Sequence, residues 1–206
     1  MSTEKSISTL LLDGGTLCLN FTNTIANRSV PEPFDYLGNY LDILRWYRRT
    51  EVLKPSVIKT LERLAKAYPP KAAAVFEKAI ALRELLYAMF AGQAEGLSPK
   101  EQLVAEFNQY LAAAFSQLNL DHYNRKEPAT LSFTMPELDL VWWEIVKSAV
   151  EVFTSRQLQL VRRCPACNWL FVDKSKNHSR KWCNMATCGD VHKVKQFYER
   201  KKKSDR

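Results

Sequence analysis

Four of the five cysteines fall within 25 residues, as Cys164-x2-Cys167, then 15 residues, then Cys183-x4-Cys188. Two short cysteine pairs at this separation are how a chain offers four soft thiolates to one tetrahedral cation, above all Zn2+, which has no ligand-field preference of its own. Pro165 stiffens the first pair and Gly189 follows the last cysteine. Using Cys164, Cys167, Cys183 and Cys188 together closes the coordination sphere. The metal is therefore expected to be structural, because a catalytic zinc keeps a position open for water or substrate. His178 or His192 could replace one cysteine, a solvent-facing or phosphate-contacting role being the alternative for each. A redox use of Cys164-Pro165-Ala166-Cys167 alone would leave the second pair unexplained. The C-terminal segment has few apolar groups, so it is expected to need the metal in order to fold, with Trp169, Phe171 and Trp182 as its small core.

The charge has the same address. Residues 162–206 hold 13 Lys/Arg against 4 Asp/Glu, net +9, while residues 1–161 hold 17 against 18, net −1. Four thiolates and one Zn2+ sum to −2, which leaves the segment at about +7. Asp190 is expected to cap a helix running from Val191 towards Lys203. On a helical wheel Val191, Val194 and Tyr198 share one side, and Lys193, Gln196, Arg200 and Lys203 the other. With Arg180 and Lys181 inside the finger, this basic front is expected to contact nucleic acid, DNA before RNA. A solvated basic tail or a protein-docking module is the plainer use of the same charges.

Residues 1–160 must position this segment, and their patterning is helical. Of the 206 residues 46% are apolar and 25% charged, a balance that folds and argues against wholesale disorder. Residues 9–12 and 16–21 flank Asp13-Gly14-Gly15 and read as a short β-hairpin. Apolar residues at 3–4 spacing predict helices over 36–49, from Ser56 to the Pro69-Pro70 break, and over 72–91, with Gly92 and Gly96 marking the last one's end. Ser98, Pro99 and Glu101 read as a capping box opening a fourth helix that buries Leu103, Val104, Phe107, Leu111, Ala114, Phe115 and Leu118. After a polar loop and a strand over 130–134, a fifth helix from 138 to about 160 is dense enough in apolar residues to be central. Trp46, Trp142 and Trp143 belong with the core, and Cys18 reads as a small buried hydrophobe.

No catalytic constellation stands out. Gly14-Gly15 lacks the further glycine and the lysine of a phosphate-cradling loop, and no Cys/His nucleophile pair is visible, so the protein is not expected to be an enzyme. The odd cysteine total, and a start with no basic-then-apolar leader, argue for reduced thiols in a cytoplasm. No apolar run approaches a membrane span.

The run Cys164-x2-Cys167-x-Trp169-x-Phe171-x-Asp173-x-Ser175-x-Asn177-x2-Arg180-x-Trp182-Cys183-x-Met185-x2-Cys188-Gly189 resembles the CGNR zinc finger. Gly14-Gly15-x-Leu17-Cys18-Leu19-Asn20-Phe21-x-Asn23-Thr24, followed by Arg28, Asp35-Tyr36-Leu37 and Trp46, is similar to the opening of the ABATE domain that usually precedes such a finger. The resemblance covers essentially the whole chain. It implies a mostly helical ABATE-like domain followed by a zinc-bound finger; with the hairpin and basic helix read above, the expected fold is mainly α, a helical domain over 1–160 with a short β-hairpin and a small four-cysteine zinc finger with a terminal basic helix over 161–206. It also implies bound Zn2+ and a role as a bacterial, stress-linked transcription regulator. Asp190 and Val191 stand where the family's Asn and Arg follow the final Cys-Gly, and Asn20 where Asp is common. The lost Arg and the added carboxylate shift the expected nucleic-acid contacts onto Lys193, Arg200, Arg180 and Lys181.

The expected function is thus a zinc-dependent nucleic-acid-binding regulator whose helical domain senses a small-molecule effector or forms a homodimer. Asn20, Asn23, Arg28 and Trp46 are the candidate lining of an effector pocket. The alternatives are a protein-interaction module with a purely structural zinc, and a small-molecule sensor.

Overall fold

The computed structural model describes residues 5–121, 128–133, 136–191 and 193–194. Within them the protein is mainly α. The helices are α1 (Leu17–Thr22), α2 (Tyr40–Thr50), α3 (Pro55–Ala67), α4 (Pro69–Ala94), α5 (Glu101–Phe115) and α6 (Leu140–Phe153). Two antiparallel strand pairs join them, β1 (Leu118–Asp121) with β2 (Thr130–Phe133), and β3 (Val161–Arg163) with β4 (Leu170–Val172). A 3-10 turn over Arg156–Leu160 leads from α6 into β3, and a π-helical turn over Met185–Gly189 carries the last cysteine.

The core forms where α4 and α6 meet the other helices. α6 buries Leu140, Val141, Trp142, Ile145, Val146, Ala149 and Val152, apolar on nearly every side as a central helix requires. Trp46 is fully buried between the rings of Phe21 and Tyr47. Burying each side chain of Leu or Phe size contributes about 1.5–3 kcal/mol. Arg83 of α4 is buried as well, and its guanidinium makes a two-pronged bridge to Asp35, at 2.8 and 2.7 Å, with Thr24 Oγ1 accepting at 3.1 Å.

Several local expectations change. Residues 9–12 and 16–21 do not form a hairpin. The second run is α1, which buries Cys18, Leu19, Phe21 and Thr22 on adjoining sides, so its apolar run has no period from which strand could be told from helix. Pro69 and Pro70 open α4 rather than merely closing α3, as proline does best at a first helical turn. Gly92 lies inside α4. Gly96, at φ 71, ends it with Leu97 N–H on Gly92 O and Gly96 N–H on Gln93 O, the left-handed cap that glycine favours. The Ser98–Glu101 capping box does not form: α5 begins at Glu101 after an extended Lys100 with no side-chain cap. Leu118 leaves α5 for β1, where it pairs with Phe133. The fifth predicted helix stops at Phe153, and Ser155 opens the 3-10 turn by accepting from Gln157 N–H.

Candidate metal centre

The first cysteine pair sits in the turn between β3 and β4. Cys164 N–H bonds Trp169 O at 2.8 Å and Asn168 N–H bonds Cys164 O at 2.9 Å, with Asn168 at φ 60 closing the knuckle. The second pair brackets a helix start. Asn184 caps it, its Oδ1 accepting from the N–H groups of Ala186 and Thr187, so that Cys183 precedes the cap and Cys188 lies one turn in. This brings all four sulfurs within 4.8 Å of one another, with Cys167–Cys183 at 3.5 Å and Cys183–Cys188 at 3.6 Å. Four thiolates about 2.3 Å from one centre stand about 3.8 Å apart, so the donor set fits a tetrahedral dication. Cys164, Cys167 and Cys183 are buried and Cys188 partly so. Hydrogen bonds from Cys167 and Cys183 pull the Cys164 thiol far below its ordinary value, and the same contacts push Cys167 and Cys183 up, while burial raises Cys188. His178 is exposed and turned to Asp173 O, at 3.1 Å from Nδ1, outside the sulfur cluster.

Buried Asp173 organises the loop between the two pairs. Its Oδ1 accepts from Ser175 N–H and Oγ at 3.0 and 2.7 Å, and its Oδ2 from Arg180 N–H at 2.9 Å. Burial alone would raise this carboxyl, but the bonds from Ser175 and Arg180 outweigh it and hold it below the usual range. The Arg180 guanidinium donates to Trp182 O at 2.9 Å and to Cys183 O, and lies 4.8 Å over the Phe171 ring. Lys174, Lys176, Asn177, His178, Ser179 and Lys181 of this loop are all exposed, and Lys174 Nζ donates back to Gly15 O at 3.2 Å.

The metal knuckle is bolted to the helical body. Asn23, at the end of α1, bonds both backbone groups of Leu170 in β4, Nδ2 to O at 2.8 Å and Oδ1 from N–H at 2.9 Å, as a neighbouring strand would. Val172 N–H donates to Gly14 O at 3.0 Å, Trp169 Nε1 to Ile25 O at 2.6 Å, Arg28 N–H to Cys167 O at 3.0 Å, and Tyr87 OH to Asn168 O at 3.0 Å. Asn184 Nδ2 reaches Asp13 at 3.0 Å. Apolar packing is also continuous, since Val161, Trp169, Leu170, Phe171 and Val172 belong to the same buried cluster as α1, α4 and α6. Trp169, Phe171 and Trp182, the small core expected of the finger, are all buried.

Comparison with family models matches residues 15–156 to ABATE, described as "putative stress-induced transcription regulator", and residues 161–201 to the CGNR zinc finger. The chain belongs to the ABATE family. No curated protein matches it. The ABATE match ends at residue 156 and the CGNR match begins at 161, where β3 starts.

The ABATE signature residues make bonds within the body as well as across the seam between body and finger. Asn20 Oδ1 accepts from Gly14 N–H at 2.8 Å, a bond made by the oxygen that Asn and Asp share. Arg28 pairs with Glu84 through two bonds of 2.6 and 3.0 Å and lies 3.9 Å over Tyr87. Asp35 holds Arg83 and accepts from Leu37 N–H at 2.9 Å. Of the residues expected to line an effector pocket, Asn20, Asn23 and Arg28 therefore hold backbone and charge partners, and Trp46 is core.

Of the expected nucleic-acid residues, Lys181 is exposed beside the Trp182 ring at 5.2 Å, and Lys193 is exposed 3.5 Å from Asp190. Gln196, Arg200, Lys203 and Tyr198 lie outside the described residues, as does His192. Val191 and Val194 are 68% and 55% exposed, so they do not pack as the apolar back expected of that helix. Because Asn184 is the cap, Asp190 sits past the first turn and no longer contests a phosphate at the helix start. The sequence reading missed Asn184, whose side chain type is a cap signal. It also missed Lys174 and Lys176, visible as charges but not as an outward loop.

Proposed function

We propose that the protein is a zinc-dependent, DNA-binding transcription regulator in which the finger is the nucleic-acid half and the helical ABATE domain the regulatory half. Cys164, Cys167, Cys183 and Cys188 hold the zinc, which supplies a crosslink between the β3–β4 turn and the following helix and performs no chemistry on a substrate. The observation that carries this reading is that Lys176, Lys181 and Lys193 of the finger are exposed while the body is close to neutral. A segment of net charge +9 before the metal attracts a polyanion through counterion release, a term that requires no pocket. Phosphate contacts then come from these lysines, and Arg180 acts indirectly by holding the loop. The compartment in keeping with four reduced thiols is the cytoplasm. Among the described residues no helix is long and apolar enough to cross a membrane.

Metal-loaded protein titrated into labelled duplex DNA tests the reading. Binding weakened by K181A and K193A together, with the fold intact, supports it; binding unchanged by both replacements overturns it.

One observation favours a second reading. Met185, Val191 and Val194 are exposed on the same short helical segment, which suits a protein contact such as a homodimer. Sedimentation of the full chain decides this: a dimer split by V191D/V194D supports it, and a monomer at all concentrations removes it.

A further inference from the structure

An opening in the body lies away from the signature residues. It is a cavity of about 540 Å³ between the end of α4, the start of α5 and the end of α6. Its walls include Met89, Leu103, Phe107, Leu111, Val150 and Phe153. Leu97 and Val104, at 58% and 36% exposure, also line it and stand open to solvent. Small-molecule sites are mostly apolar and hold about 300–1,000 Å³. An apolar space of this kind removes packing partners from its own walls, so a chain that keeps it open forgoes stability.

We propose that this cavity is an effector site for a small, uncharged hydrophobic molecule bearing an aromatic ring, and that its occupancy is relayed to the metal centre. The ring preference follows from the walls. Phe153 is stacked on Phe90 at 4.4 Å, and Phe107 meets Phe153 edge-on at 5.3 Å, an array that another ring extends. Neutrality follows from the charges: Glu95 and Lys100 are the lining's one acid and one base, and Glu95 is already paired with Arg163. The relay follows from the chain. Arg163 ends β3 and directly precedes Cys164, so the Glu95–Arg163 ion pair ties the cavity rim to a metal ligand. Leu158 lines the cavity from the turn that feeds β3. The site itself stands without the DNA-binding reading; only the use of the relay to control a regulator rests on it.

The test uses full-length, metal-loaded protein and N-phenyl-1-naphthylamine, a neutral aromatic fluorophore. Saturable binding is expected, weakened about tenfold or more by V104W or L97D. Both positions are open to solvent, and unchanged circular dichroism verifies that the variants fold. Absence of saturable binding, or equal binding in both variants, overturns the site. The relay is read without nucleic acid, as the rate of metal transfer to a chromogenic chelator. The fluorophore is expected to change that rate about fivefold in the wild type and not in R163Q, which still binds it. An equal change in R163Q, or none in the wild type, overturns the relay. A DNA titration run alongside reports on the regulator reading alone, so the two can fail separately.

Discussion

Asn23 and Gly14 show how single residues join two family modules. Asn23 satisfies a buried strand edge that has no strand beside it, so Asn23→Ala leaves the Leu170 N–H and C=O unpaired in the core. Each such group costs about 1–3 kcal/mol, and the variant is expected to lose roughly 2–4 kcal/mol in urea denaturation. Gly14 is required by space: a Cβ there would lie 2.7 Å from Asn20 N and 2.8 Å from Leu19 C, both backbone atoms. Gly14→Ala is expected to cost about 1–3 kcal/mol, as overpacking does. A midpoint unchanged from wild type would contradict either account. In the sequence both residues looked like parts of a turn or a polar pocket. The finger groups they bond, Leu170 and Val172, lie about 150 positions away, and no local pattern points there.

At the scale of elements, what was legible depended on whether a signal was complete within its own segment. The cysteine spacing specified the donor set because a dication needs only those four sulfurs, and the structure brings all four together. The α6 stripe was equally plain. The Ser98–Glu101 signature does not operate: after the Gly96 cap the chain stays exposed up to an extended Lys100, and α5 begins at Glu101 with no side-chain cap. The charged ladder Arg28–Glu84–Arg83–Asp35 was also hidden, since it links the loop after α1 to α4. It makes a pH prediction. Burial would raise the Glu84 carboxyl, but the bond and charge of Arg28 and the charge of Arg83 lower it overall. A depressed carboxyl stabilises the fold above its unfolded value, about 4.3, and that contribution is lost as pH falls through the folded value. The stability gap between wild type and Glu84→Gln is therefore expected to be constant near neutrality and to narrow below about pH 4. A gap that widens on acidification would contradict the ladder.

At the scale of the whole molecule, the seam is expected to make the finger and the helical body one folding unit. Stripping the metal is expected to lower the melting temperature of the entire chain. Structural metal sites contribute several kcal/mol, and a chain of this size shifts by roughly 2–4 °C per kcal/mol, so a fall of about 10 °C is expected. Tryptophan fluorescence and far-ultraviolet dichroism should move together, because Trp46 and Trp142 sit in the body and Trp169 at the seam. Two separate transitions would show instead that the finger is an independent bead. The 3-10 turn over Arg156–Leu160 joins α6 to β3 directly within the core that body and finger share.

The central claim is that the metal-organised finger binds DNA through its outward lysines. It is tested most directly by the salt dependence of duplex DNA affinity for the metal-loaded full chain. A linear fall of log K with log salt is expected, with a slope steeper than about −3, made shallower by about 1 for each of Lys181 and Lys193 replaced by Ala. No binding at low salt, or a slope near zero, would contradict it.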